Sequence, residues 1–213
     1  MVGMKLFVEG GGDSNDLRTA CRAGFAAFLK KAGLTGALPR IVACGSRGAA
    51  YADFCTAIAN GQHAMLLVDS ESAVLPTHQA DQDKARWQPW AHLAQRQGDH
   101  WAKPDGAADN DCHLMVRCME SWFLADRQTL QLFFDPGFKL NVLPPPSRPV
   151  EDIDKEDLYQ RLKTATAHCK TKAGYGKGEH SFKLLALIDS DKVTGASGWA
   201  KRFIDELKRR MGI

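Results

Sequence analysis

Two short apolar runs, each ending on a carboxylate, carry the residues best suited to do chemistry in this chain. Lys5-Leu6-Phe7-Val8 leads into Glu9 and then Gly10-Gly11-Gly12-Asp13, and Ala64-Met65-Leu66-Leu67-Val68 leads into Asp69-Ser70-Glu71. In an open parallel α/β sheet, ligands bind in the crevice beyond the carboxyl ends of the strands. If the two runs are neighbouring strands, Glu9, Asp69 and Glu71 meet in that crevice. Acids at i and i+2 lie on one side of an extended chain, so Asp69 and Glu71 can serve a common ion. Crowded carboxylates repel one another unless a cation shares them, and hard oxygen donors favour Mg²⁺ or Mn²⁺. The expected chemistry is metal-dependent hydrolysis of a phosphodiester. Asp69 and Glu71 hold the metal, and Glu9 shares it or acts as general base toward the attacking water.

The glycines after Glu9 let the backbone turn sharply and approach a ligand closely. They form no phosphate loop, because no Gly-Lys-Ser/Thr closes the run, and they lack the spacing of the dinucleotide fingerprint. A capping loop suits Asp13 or Ser14, but not Glu9 at the strand end itself.

Further candidates surround this centre. Glu120 opens a predicted helix and reads equally as an added ligand or general base, or as a first-turn acid favoured by the helix dipole. Lys183 and Lys177 can offset charge on a transferred phosphoryl group. His180 can donate a proton to a leaving oxygen. An ordinary polar surface loop competes with that reading of the 177–183 group. Arg47, after Gly45-Ser46, is a further phosphate contact. His78, His92, His100 and His113 have no partner at diagnostic spacing and read as structural or exposed.

These residues need elements to position them. Residues 4–8, 39–45 and 64–68 read as buried strands. Ser14-Asn15-Asp16 offers a helix cap, and Leu17, Cys21, Phe25, Phe28 and Leu29 recur at helical spacing, predicting a helix over 15–32. A second helix runs through Tyr51, Phe54 and Ile58 to Asn60-Gly61. Strands alternating with helices across short connections imply an α/β fold with a parallel sheet and right-handed crossovers. Segment 76–111 is polar, with three tryptophans, and reads as a helical insertion or a lid. A strand is expected over 112–118 and a helix over 119–134, with Trp122 and Phe123 in the core. Leu143-Pro144-Pro145-Pro146 must be extended and divides a core (1–142) from a C-terminal extension (143–213) packed on it. There, helices are expected over 155–170 and 197–211, a loop at Tyr175-Gly176-Lys177-Gly178, and either strand or helix over 182–188.

Composition narrows the classes. The chain has 213 residues, 44% hydrophobic and 25% charged, with a net charge of +3. That balance is ordinary for a globular protein and carries no global nucleic-acid signature. Lysine and arginine do concentrate in 163–213, where a basic face or a solvated helix would account for them. Six cysteines without CxxC spacing, and no secretory leader, read as a protein of the reducing cytoplasm. No stretch approaches the roughly 20 apolar residues that cross a bilayer, so no membrane partner is expected.

A Val-Glu-Gly strand end, then a helix, then a strand ending in Asp-x-Asp or a variant of it resembles the Toprim catalytic core. That core occurs in topoisomerases, primases, OLD-family nucleases and RloB-like proteins. Val8-Glu9-Gly10-Gly11-Gly12-Asp13, Pro39-Arg40-Ile41-Val42-Ala43-Cys44-Gly45-Ser46-Arg47, Met119-Glu120-Ser121-Trp122-Phe123-Leu124-Ala125-Asp126 and His180-Ser181-Phe182-Lys183 are similar to a bacterial Toprim-like family. The resemblance implies a Toprim-like core with flanking helices and a divalent-metal nuclease acting on RNA or DNA. It makes Glu9 the family glutamate and Asp69 the first acid of the aspartate pair. It also implies a setting in anti-phage modules beside an AAA- or ABC-type ATPase, with inhibition by a partner or a homo-oligomer keeping the activity in check. The pair here is Asp-Ser-Glu, a departure that keeps two other readings open. One is a Toprim-shaped regulatory subunit without chemistry, and the other is a small-molecule phosphohydrolase.

Overall fold

Four parallel strands in the order β2-β1-β3-β4 form the centre of the molecule: β1 (Lys5–Gly11), β2 (Arg40–Gly45), β3 (Ala64–Asp69) and β4 (Cys112–Met115). The computed structural model describes residues 3–36 and 38–213. The helices are α1 (Asn15–Lys31), α2 (Arg47–Ala59), α3 (Pro89–Gln95), α4 (Arg127–Phe134), α5 (Lys155–Thr166), α6 (Lys177–Leu187), α7 (Ser190–Ala196) and α8 (Gly198–Met211). Val8 pairs with Leu67 across β1 and β3, so the two acid-bearing strands are direct neighbours in register.

Side chains alternate across a strand, and here both faces are covered. Leu6, Val8, Met65 and Leu67 join one core with Phe25, Phe28, Trp122, Leu185 and Phe203, while Phe7, Leu66 and Val68 join another with Phe54, Trp90 and Trp199. That explains why β3 is apolar without interruption up to Asp69 and buried along its whole length. Ser14 caps α1 by accepting the Leu17 amide, and Ser46 caps α2 by accepting that of Ala49. α6 lies close on α1 because Gly24 has no side chain: a Cβ there would come within 2.7 Å of the Phe182 carbonyl oxygen.

Segment 76–111 folds against the second face. Trp90 packs on Phe54 and Tyr51, Trp87 packs on Trp199, and their indoles donate to Ala108 O and Asp81 O.

Several boundaries differ from expectation. The helix expected over 119–134 is a 3-10 helix (Met119–Asp126) followed by α4. Asp126 leaves helical geometry (φ −126, ψ 68) just before α4, and its carboxylate accepts from the Asp189 amide and Lys192 instead of capping that helix. β4 stops at Met115 because Arg117, two residues on, has φ 64, which no strand tolerates. Lys177 and Gly178 open α6 instead of lying in a loop, and the ambiguous stretch 182–188 is helix through Leu187. The buried face of α6, packed on α1 and the core, decides this where local composition does not.

Candidate active site

Because β1 and β3 are adjacent and in register, Glu9 and Asp69 leave the sheet side by side. Glu9 Oε2 accepts the Asp69 amide at 3.1 Å. The chain then turns at once: Glu71 takes a left-handed backbone, φ 63, instead of continuing extended. Two hydrogen bonds hold that turn, from Glu71 N to Arg117 O at 3.1 Å and from Arg117 N to Ser70 Oγ at 2.8 Å. Glu71 therefore joins Asp69 through a constrained turn, not through the i, i+2 alternation of a strand. Oxygens of Glu9, Asp69 and Glu71 lie within 4.8 Å of one another.

The cluster is electrostatically expensive. Burial raises the Glu9 pKa; Arg47 and the Asp69 amide oppose the rise, and Glu71 adds to it. Burial also holds the Asp69 carboxyl well above the usual range, reinforced by Glu9 and Glu120. Two basic side chains answer this. Arg47 donates to Asp69 O and reaches Glu9 Oε2 at 3.5 Å, while its other nitrogen pairs with Asp99 at 2.5 Å. Its guanidinium lies 4.7 Å above the Trp101 ring, which stacks on Tyr51 at 4.5 Å. Lys155 Nζ sits 2.6 Å from Glu71 Oε1 and 3.3 Å from Asp69 Oδ2. Burial works against that ammonium, but Asp69 and Glu71 outweigh it and hold the Lys155 pKa above the ordinary lysine range.

Lys155 is the member of this cluster that the sequence concealed. It stands in the acid-rich run Glu151-Asp152-Ile153-Asp154-Lys155-Glu156-Asp157, which looks like a solvated helix start. Asp154 beside it pairs with Arg117, the residue that braces the Glu71 turn.

Glu120 is fully buried and accepts three hydroxyls at 3.0 Å: Tyr159 on Oε2, and Tyr175 and Ser181 on Oε1. Among the described residues no lysine or arginine pairs with it. Burial first, and then the Glu120 charge, raise the pKa of both tyrosines far above normal. A carboxylate held by neutral donors alone is costly to bury, so these hydroxyls are what permit it.

A cleft of about 330 Å³ opens beside the carboxylates, between the glycine turn and the start of α6. Lys177 and Gly178 lie at its rim, and Asp69 and Glu120 are among its walls. The Lys177 charge reaches Asp69, and its Nζ lies 5.5 Å above the Tyr159 ring.

Two of the remaining candidates fall elsewhere, and the third serves the acids themselves. Lys183 is exposed on α6 and does not line the cleft. Its helix presents residues 177, 178, 181 and 182 to the cleft, and residue 183 lies one helical step past that face. His180 is buried against Phe134 and Phe133, with Nδ1 accepting the Gly176 amide at 3.0 Å. Its bond fixes the start of α6, and burial lowers its pKa. Arg47 is engaged with Glu9, Asp69 and Asp99, so it orders the acids instead of standing open at the surface.

The family model described as "Domain of unknown function (DUF4276)" matches residues 8–208. No curated protein and no solved structure matches the chain.

Proposed function

The chain belongs to the DUF4276 family, and we propose that it is a divalent-metal-dependent phosphodiester hydrolase acting on nucleic acid. One observation carries the reading: two carboxylates beside adjacent parallel strands and a third, Glu71, from the turn after β3 converge to within 4.8 Å, with Asp69 buried and its pKa raised. The donor set suits the metal, since Glu9, Asp69 and Glu71 offer only hard oxygens and repel one another without a cation. Those three residues would hold Mg²⁺ or Mn²⁺, which when bound polarises a phosphoryl oxygen and activates water.

The chain's own groups supply the rest. Arg47 and the Asp69 amide both donate to Glu9 Oε2 and fix that oxygen. Burial makes Glu9 a stronger base than a free glutamate, suited to accept a proton from the attacking water at Oε1. The Met119 amide holds Asp69 Oδ1 at 2.9 Å. Lys177, at the cleft rim, offsets negative charge on the phosphoryl group.

The Toprim resemblance points the same way, and we attach to this activity the role of an effector in a phage-defence module with an ATPase partner. A second reading, a regulatory subunit without chemistry, draws on Lys155, whose ammonium already bridges Asp69 and Glu71. The test is cleavage of labelled tRNA, single-stranded RNA and plasmid DNA with Mg²⁺ or Mn²⁺, wild type beside Asp69→Ala. Metal-dependent cutting lost in a folded Asp69→Ala supports the hydrolase. Retained cutting removes the assignment, and tight binding of an ATPase partner with no cutting under either metal supports the regulatory subunit.

A further inference from the structure

We infer that the cleft beside the carboxylates takes a single nucleoside unit, so that the substrate is a strand whose base is free to leave its stack. The inference rests on the phosphodiesterase reading above and specifies its substrate class.

The cleft adjoins Glu9 and Asp69, so a group filling it is attached to the phosphate that those acids serve. Its volume, about 330 Å³, sits at the low end of small-molecule pockets, which run from roughly 300 to 1,000 Å³. That suits one base and its sugar and excludes a base pair with its backbones. The walls are chiefly apolar: Leu17, Met115, Met119 and Phe182. Methionine and aromatic side chains make favourable contacts with flat rings.

One wall is bare backbone. Gly10 and Gly11 have φ +132 and +90, and a Cβ at Gly10 would lie 3.0 Å from Phe182 Cζ, itself a wall of the cleft. The turn thus admits no side chain that would narrow the cleft from this side. Charge is placed to match: Lys177, at the rim and in the first turn of α6, faces the phosphate, while the interior carries none of the lysines or arginines that a second phosphate would need.

A paired base cannot enter such a cleft without breaking its pairing and leaving the duplex stack, which costs free energy. A base in a single strand or loop bears little of that cost. Single-stranded nucleic acid is therefore the class that fits, with a free mononucleotide as the other source of the same chemistry.

The test is fluorescence anisotropy with Asp69→Asn, which binds without turnover. The probes are a labelled 12-nucleotide single strand in DNA and RNA forms, its duplex, the single strand with one abasic site moved along it, and unlabelled mononucleotides as competitors. We expect the single strand to bind at least 10-fold tighter than the duplex. One abasic position should cost about 10-fold, and Leu17→Trp, which fills the cleft from a half-buried site, a similar factor. The Mn²⁺-induced rise in Tm of an otherwise wild-type Leu17→Trp chain should match wild type, separating a filled cleft from a damaged metal site. Equal binding of duplex and single strand, with no sensitive abasic position, overturns the inference and leaves the hydrolase standing. Mononucleotide binding with no gain from the strand keeps the nucleoside assignment and removes nucleic acid as substrate. No binding of any probe, with the Mn²⁺ response intact, overturns both the cleft and the nucleic-acid reading.

Discussion

Lys155 Nζ lies between Glu71 Oε1, at 2.6 Å, and Asp69 Oδ2, at 3.3 Å, so an ammonium occupies the space between two carboxylates that a divalent ion would share. The helix start that carries it, α5, comes from a part of the chain more than eighty residues beyond those acids. Lysine and metal compete for the same charge. Lys155→Met should lower stability without metal by about 1–3 kcal/mol, since it leaves partly buried carboxylate oxygens without their donor. It should also bind Mn²⁺ several-fold more tightly. Urea unfolding in EDTA and calorimetric Mn²⁺ titration check the two halves, and weaker Mn²⁺ binding in the variant would show that Lys155 supports the ion instead of competing with it.

Asp69 is a stability cost as well as a proposed ligand. Its folded pKa is raised by burial and by Glu9 and Glu120. A raised folded pKa means the native state takes up the proton first. Its contribution is complete below the unfolded value of about 3.9 and is lost as pH rises through the folded value. Asp69→Asn should therefore have a higher Tm than wild type at pH 7 in EDTA, with the gap closing toward pH 4. Thermal melts at both pH values read this, and a gap that widens on acidification contradicts it.

Glu120 depends on hydroxyls. Tyr175→Phe removes one 3.0 Å donor from a carboxylate that no described lysine or arginine pairs with. The expected cost is about 1–3 kcal/mol, the range for a hydrogen bond lost by a buried charged group. The same substitution in a Glu120→Gln background should cost less, because the acceptor is then neutral. Equal costs in the two backgrounds, by urea unfolding, would mean that the tyrosine contributes packing alone.

His113 reports a second buried network. Arg202 donates to His113 Nδ1 at 3.0 Å, so Nε2 carries the proton and donates to Asn110 O at 3.1 Å. Burial and then Arg202 hold the His113 pKa well below 6.5, and burial lowers those of His92 and His180. For these groups the unfolded chain binds the proton first. Their stability is present above the unfolded value of about 6.5 and is lost as pH falls below it. The histidine contribution should decline between pH 7 and pH 5, against the opposite contribution of the raised carboxyls, and His113→Asn, whose amide oxygen can still accept from Arg202, should lose less stability over that interval than wild type. The same change in Tm from pH 7 to pH 5 in wild type and variant would refute the assignment.

Asp99 acts on the site through Arg47. It holds one guanidinium nitrogen at 2.5 Å while the other reaches Glu9 at 3.5 Å, with Trp101 beneath the plane. Asp99→Asn should reduce kcat about 10-fold with little change in KM, since the acids lose alignment but the cleft does not. Arg47→Lys should not restore function, because an ammonium cannot bridge both partners in a fork. An unchanged kcat in a folded Asp99→Asn would leave the contact a purely structural one.

Much of the architecture was legible in order along the chain. The strands over 5–11, 40–45 and 64–69 and the helices at 15–31 and 47–59 follow from apolar runs, serine caps and glycine stops, all local signals. Helical boundaries around 119–134 and 177–188 were less legible, because Asp126 and His180 take their conformations from partners such as Lys192, Asp189 and Phe134. Lys183 stood out in sequence beside His180, but a residue's face on a helix depends on which side that helix buries, and α6 buries the side that leaves Lys183 in solvent.

What the sequence determined by itself is therefore a placement: carboxylates at strand ends, in a chain whose strands and helices alternate. Strand order, and with it the meeting of Glu9 and Asp69, needed the register of β1 on β3. Tertiary structure alone decided the counter-charges. Lys155 reaches Asp69 and Glu71, and Arg47, held by Asp99, reaches Glu9, all from separate segments, and pairing at long separation leaves no periodic trace for a local pattern to reveal. A buried carboxylate requires compensation, but nothing in its own neighbourhood of sequence says which distant side chain will provide it.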